Sequence, residues 1–385
     1  MKNIKVIDDN LKILREYFVH EGFDIRFVGG CVRDYLLGIE PKDTDLCTDA
    51  NPDEQRKIYE KYDVHHIPTG LQHGTWTVVV NGIVYEITSL RTETDHDGRH
   101  ATVSWTKDWE GDLARRDLTC NAISMTFDED IIDPFDGKKD LENKIVRFVG
   151  NPEERIREDY LRILRFFRFH ARIAGMAPYD SAAIEAIAVC YKGLKNISKE
   201  RIWSEVSRII SGPFGNRVFL NMLNLFDEIP YDRHSCDSFE LASKYTHDPV
   251  TLMAVFLETR EAVEDLAEKW KWSNEEKRQA LYIVNHFYMN ETTAKKNIAV
   301  YHDKPYWVAE ALRTNGMFNG IDYPTIANSI MEWNIPVFPV NGDDLIFIGY
   351  TPGIKLREAL DYMKDIWSNS EYMIDKEYLL MSLEK

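Results

Sequence analysis

No apolar run in this 385-residue chain approaches the roughly 18 residues that suggest a membrane span, so no membrane partner is expected. Cysteine is scarce and scattered. Cys31, Cys47, Cys120, Cys190 and Cys236 are odd in number and lack Cys-x-x-Cys spacing. That pattern argues against a disulfide framework or a zinc site and suits a reducing compartment. The opening MKNIKVIDDN is neither a signal peptide nor an Arg-rich, acid-poor transit peptide, so a cytoplasmic protein is expected. Positive charge is also short: 47 Lys and Arg face 64 Asp and Glu, a formal net charge of −17. Proteins that bind RNA usually carry a basic footprint, so any anionic ligand here must be met by a local patch. A weak salt slope of RNA binding would fit few phosphate contacts. What remains is 44% hydrophobic and 29% charged, the composition of a soluble globular protein of two or more domains.

Much of the chemistry is concentrated in residues 25 to 48, IRFVGGCVRDYLLGIEPKDTDLCT. Ile25 to Val28 reads as a buried strand bounded by Gly29-Gly30, and Val32 to Leu37 as the opening of a helix. A strand, a glycine turn and a helix N-terminus make an anion site, because the first N–H groups point outward without partners. Gly30 would let a triphosphate approach the backbone, and Arg33, one turn on, can donate to phosphate oxygens. Asp43 and Asp45 flank Thr44; if that piece is extended, both point to one face. Paired carboxylates beside a phosphate suit Mg²⁺, which keeps several waters and shares its site with substrate.

VGGCVRDYLLG followed by KDTDLCT resembles the signature of class II tRNA nucleotidyltransferases, the CCA-adding enzymes, and of the related bacterial poly(A) polymerases. The resemblance implies a DNA polymerase β-like nucleotidyltransferase head. The expected fold is an α+β head, a mixed sheet with helices, followed by an all-α neck, body and tail. The expected divisions are 1–140 for the head, 141–215 for the neck, 216–300 for the body and 301–385 for a tRNA-facing tail.

Along the head, Leu11, Leu14, Phe18 and Val19 predict a helix over 9–21, and Asp49-Ala-Asn-Pro-Asp opens another through about Tyr62. Thr75–Val80 and Ile83–Thr88 around Asn81-Gly82 predict a hairpin. Glu86 in its second strand is either solvent-facing or a third carboxylate of the metal cluster; the resemblance of EITSLR to the family favours the catalytic reading. His73-Gly74-Thr75 also resembles the family pattern. The polar stretch Thr92–Lys107, with Asp97 to His100 at its centre, reads either as a solvated connector or as a functional loop leading into a short strand. By resemblance it is the loop needed for the final A addition. DLARRDLTCNA (112–122) places two arginines at an expected helix start. The family match implies that Arg116 contacts the nucleotide, while Asp117 and Asn121 hold the sugar and the local architecture.

EDYLRILRFFRFHARIA (158–174) reads as one amphipathic helix, with Asp159, Arg162, Arg165 and Arg168 winding slowly around it. On pattern alone this is a solvated charged face. Its Glu-Asp-x-x-Arg resembles the motif that serves the family as an amino-acid template. Cytosine and adenine each offer an amino donor beside a ring-nitrogen acceptor, which a carboxylate and an arginine complement. Uracil and guanine reverse that order, and the mismatch costs roughly 1–3 kcal/mol, by analogy with the reading of DNA bases. Asp159 and Arg162 are the expected pair, with Arg165 and Arg168 steadying base and triphosphate.

From about Ser181 the pattern is helix after helix, with no repeat of fixed period. HDPVTLMAVFL (247–257) resembles the body of eukaryotic and mitochondrial-type members, and 338–353 their tRNA-facing tail. Trp270, Trp272, Trp307 and Trp333 read as core. The activity implied is Mg²⁺-dependent addition of CTP, CTP and ATP to a tRNA 3′ end, with Asp43 and Asp45 holding the metal, by a monomer or homodimer. Poly(A) addition, or addition of CC or A only, are the alternatives.

Overall fold

Ile25, Phe27 and Val28 are buried in β1 (Ile25–Val28), near the middle of the main sheet. This computed structural model describes residues 7–94, 102–227, 229, 231–319 and 323–383. They divide into two compact units, Met1–Leu225 and Phe226–Lys385.

The first unit holds a seven-stranded sheet in the order β3-β4-β5-β2-β1-β8-β9. Its other strands are β2 (Asp45–Thr48), β3 (His65–Gly70), β4 (Thr75–Val80), β5 (Ile83–Ser89), β8 (Ser124–Met125) and β9 (Ile131–Ile132). A separate hairpin pairs β6 (Arg91–Thr94) with β7 (Thr102–Trp105). Only β2 and β5 pair in parallel among the described strands, so the expected mixed sheet is borne out. Asn81 and Gly82 turn β4 into β5 with φ values of 51° and 81°, the left-handed geometry that a two-residue hairpin requires.

Around the sheet lie α1 (Asp9–His20), α2 (Gly30–Leu36), α3 (Pro52–Lys61), α4 (Trp109–Ala114) and α5 (Gly137–Glu142). Leu11, Leu14 and Phe18 are the buried stripe of α1. Asn51 caps α3 in a capping box with Glu54, and Pro52 stands at its first turn. The helices α6 (Pro152–Glu158), α7 (Arg162–Phe169), α8 (Ser181–Cys190), α9 (Lys199–Ile210) and α10 (Gly215–Met222) complete the unit.

Two local expectations are corrected. Residues 158–174 do not form one helix. Asp159 is extended (φ −152°, ψ 106°) and its side chain accepts the Leu161 N–H, which ends α6 and starts a new helix. Arg115 and Arg116 follow the end of α4 rather than opening a helix, because the Asp108 side chain caps it earlier through Glu110 N–H. Cations at a helix C-terminus are favoured by its dipole. Within 92–107, the expected short strand is present as β7, paired with β6, and Asp97 to His100 lie outside the described residues.

The second unit is all-helical among the described residues, from Arg233–Ala242 to Lys376–Met381. Helix Pro249–Leu257 is buried along its length except at Pro249, and Trp270 is fully enclosed. Trp272 is also buried, while Trp307 and Trp333 are half-buried. Asp248 caps helix Pro249–Leu257 through Thr251 N–H at 2.7 Å and accepts from Gln279 and Tyr306, an architectural use of that aspartate. No helix among the described residues is long and apolar enough to cross a membrane.

Candidate active site

Parallel pairing of β2 with β5 sets Asp45 directly against Glu86. Cross-strand partners present their side chains on the same face of a sheet. Asp43 lies in the bend before β2, outside the ladder, and lines a recess of about 160 Å³ with Asp45, Gly30, Arg33 and Lys42. Glu86 and Asp45 line a second recess of about 360 Å³ with His73, Thr88, Arg91, Arg115 and Arg116. Glu86 is solvent-exposed and stands beside Asp45 across the ladder. Asp45 also borders the largest recess of the three, about 520 Å³. It keeps an open edge to solvent, yet the protein packed behind its carboxyl pushes its pKa up. Glu86 and Asp43 add to that push, while Arg116 and Arg33 oppose it.

No three candidate ligands among the described residues converge tightly enough to hold a metal ion by themselves. The donor set fits a hard cation that takes one or two carboxylates and completes its shell with water and substrate phosphate. The mutual repulsion written into Asp45 is what such a cation relieves.

The turn between β1 and α2 supplies backbone access. Gly29, not Gly30, is the strained position. Its φ is 67°, and a Cβ there would stand 2.7 Å from Arg116 Nη1. A Cβ on Gly30 would meet only ordinary contacts, 3.6 Å to Arg33 and 3.8 Å to Asp45 Oδ2.

Seven arginines line the largest recess, namely Arg33, Arg91, Arg115, Arg116, Arg162, Arg165 and Arg201, against Asp45, Asp117 and Asp159. The molecule is acidic, but this concavity is not. Asp112, fully buried, organises one side of it. It accepts from Arg115 Nε at 2.9 Å, Arg116 Nη2 at 3.3 Å and the Arg91 N–H at 3.2 Å. Arg116 Nε is buried without a hydrogen-bond partner. On the other side, Arg33 donates to Asn121 at 2.6 Å, Asn121 to Asp117 at 3.3 Å, and Arg165 to Asp117 at 2.5 Å. Burial would push the Asp117 carboxyl up, but Arg165 and Asn121 hold it below the usual range.

The side chains of Asp159 and Arg162 line the same recess but do not bond each other; only the Arg162 backbone N–H reaches the Asp159 carbonyl, at 3.0 Å. Arg162 donates to Glu158 at 2.5 Å and to the Arg155 carbonyl at 3.0 Å. Asp159 accepts from Arg201 of α9 at 2.8 Å. Arg168 pairs with Glu205 at 3.1 Å and lies over the ring of Phe169, which lines the recess while Arg168 itself does not. Gly30, Arg33, Arg116, Asp159, Arg162 and Arg165 are thus brought together around Asp45. The sequence reading missed Gly29, Arg115 and Arg201. Gly29 and Arg115 lay within quoted motifs, but Arg201 sits in an ordinary amphipathic pattern and had no local signal.

A family model described as the poly A polymerase head domain matches residues 25–147. The chain is 36% identical over 392 residues to CCA tRNA nucleotidyltransferase 1, mitochondrial, of Homo sapiens, covering 98% of this chain and 90% of that protein. The chain belongs to the CCA tRNA nucleotidyltransferases.

The Mus musculus nucleotidyltransferase of the same name is 34% identical at the same coverage. The crystal structure of the Bacillus stearothermophilus CCA-adding enzyme in complex with CTP matches this nucleotidyltransferase with a TM-score of 0.79 and 27% identity, over 100% of this chain and 98% of that one. The α+β head and helical remainder are those of this family. The cytoplasmic expectation is overturned, because the human and mouse relatives are mitochondrial by name. Unpaired thiols speak against an oxidising compartment and do not separate one reducing compartment from another.

Proposed function

We propose that the arginine-lined recess around Asp45 is where this CCA-adding enzyme binds its nucleoside triphosphate and joins it to the tRNA 3′ end. The reaction is nucleotidyl transfer: the 3′-hydroxyl attacks the α-phosphate of CTP or ATP, a phosphodiester bond forms, and pyrophosphate leaves. The observation that carries the assignment is the concentration of seven arginines around Asp45, of which Arg91, Arg115 and Arg116 also line the recess of Glu86, in a chain of net charge −17.

Arg33 and Arg116 neutralise the triphosphate, with the Gly29–Gly30 turn giving close backbone approach. Asp43 and Asp45 would hold Mg²⁺, and Glu86 would complete the carboxylate set. When bound, the cation lowers the pKa of the attacking hydroxyl and offsets charge on the leaving oxygens. Positioning and charge neutralisation supply most of the rate.

Asp159 and Arg162 read the incoming base, with Arg165 and Arg168 bracing them. Asp117 and Asn121 hold that brace to α2. Residues 1–140 act as the catalytic head, 141–215 as the neck, and 216–300 and 301–385 as body and tail. The enzyme works as a monomer or homodimer.

The test offers each of the four NTPs, with Mg²⁺, to tRNA transcripts ending before CCA, after C and after CC. Stepwise addition of C, C and A is the expected result. The head family is shared with poly(A) polymerases, so a long tail grown from ATP alone on arbitrary RNA would select that reading instead.

A further inference from the structure

Asp159 stands where the backbone leaves α6 in an extended conformation, so no helical neighbours restrain its side chain. Two other groups do. Oδ1 accepts the Leu161 N–H at 3.1 Å, and Oδ2 accepts Arg201 Nη2 at 2.8 Å. Glu205, one turn further along α9, takes Arg168 at 3.1 Å, so two ion pairs of opposite polarity tie α9 to the segment 159–168.

We propose that Arg201 is the positioning residue that fixes the Asp159 carboxylate for recognition of the incoming base. The inference rests on the assignment of Asp159 to that base. An ionised carboxylate offers about four lone-pair directions. With one used at each oxygen, an amino donor of cytosine or adenine can be accepted without displacing Arg201. Held still, the same oxygen meets the carbonyl of uracil or guanine with unrelieved repulsion. Freed, it turns away from the wrong base, and discrimination falls. The Arg201 side chain is 43% exposed, so the pair contributes little to folding and its effect is read in selectivity.

The experiment compares Arg201→Ala, Arg201→Lys, Asp159→Ala and the double variant Arg201→Ala/Asp159→Ala. It measures kcat and KM for CTP and UTP on tRNA ending before CCA, together with Tm. Arg201→Ala should lower the CTP-over-UTP ratio of kcat/KM about tenfold, mainly through KM, with Tm shifted by less than about 2 °C. Arg201→Lys should retain most of the discrimination. In the Asp159→Ala background the second substitution should change nothing further. Two results overturn the inference and leave the base-reading assignment standing: parental selectivity in Arg201→Ala while Asp159→Ala relaxes it, or an equal loss with CTP and UTP accompanied by a fall in Tm. If Asp159→Ala itself leaves the ratio unchanged, the assignment fails and the inference goes with it.

Discussion

Arg33 on α2 donates Nη1 to Asn121 Oδ1 at 2.6 Å, and both side chains are nearly closed to solvent. The contact joins the glycine turn to the RRD motif and, through Asp117, to Arg165 on α7. Asn121→Ala removes that link and leaves a buried cation short of an acceptor. It should destabilise the protein by about 1–3 kcal/mol and raise KM for the triphosphate. Urea unfolding and steady-state kinetics check both. An unchanged KM would mean that Arg33 does not touch the nucleotide.

Asp43→Ala and Asp45→Ala should each abolish incorporation while leaving circular dichroism and cooperative melting intact. Robust turnover by either variant would remove it from the metal assignment.

Stability against pH should separate two aspartates. The folded pKa of Asp45 lies above its unfolded value of about 3.9, so its stabilising contribution is present below that value and lost as pH rises through the folded one. Asp45→Asn should then be at least as stable as the parent at neutral pH. Asp117 has the opposite sign. Its contribution is present above about pH 3.9 and is lost as pH falls through the depressed folded value. Asp117→Asn should cost about 1–3 kcal/mol at neutral pH, less than a fully buried pair because Arg165 is one-third exposed. Denaturation midpoints from pH 3 to 8 decide between these signs, and a parent more stable than Asp45→Asn at pH 7 contradicts the first.

Adjacent glycines should behave differently. Gly29→Ala forces an L-residue to φ 67° and drives a methyl group into Arg116, so it should cost about 1–3 kcal/mol and most of the activity. Gly30→Ala meets only ordinary contacts and should fold like the parent, with its effect confined to KM for the triphosphate. Equal melting temperatures for the two variants would count against this account of the turn.

Asp159→Ala and Arg162→Ala should relax nucleotide choice more than they reduce total incorporation. The ratio of CTP and ATP to UTP and GTP incorporation measures it, and parental selectivity in both variants would remove the pair from base reading.

The elements legible in the sequence were those decided by neighbours in the chain. Thr75–Val80 ends where expected because Asn81-Gly82 adopts the turn at little steric cost. Pro52 and Asn51 start α3 for reasons confined to one turn. The break after Glu158 was hidden, because apolar spacing continues through it while one aspartate side chain redirects the backbone. Arg115 and Arg116 carried the right residues, but they sit at the end of α4 because that helix starts earlier, at the Asp108 cap.

By itself, then, the sequence determined the glycine turn, the acidic pair, the arginine motifs and the alternation of strand and helix, because periodicity, turn chemistry and caps act over a few residues. Only the tertiary structure decided that Glu86 faces Asp45, that Gly29 is the constrained glycine, and that Arg201 from α9 holds Asp159. Parallel register and ion pairs between distant helices are fixed by packing. Charges act within roughly 10 Å in salt solution, so net charge along the chain could not reveal an arginine-rich concavity in an acidic molecule.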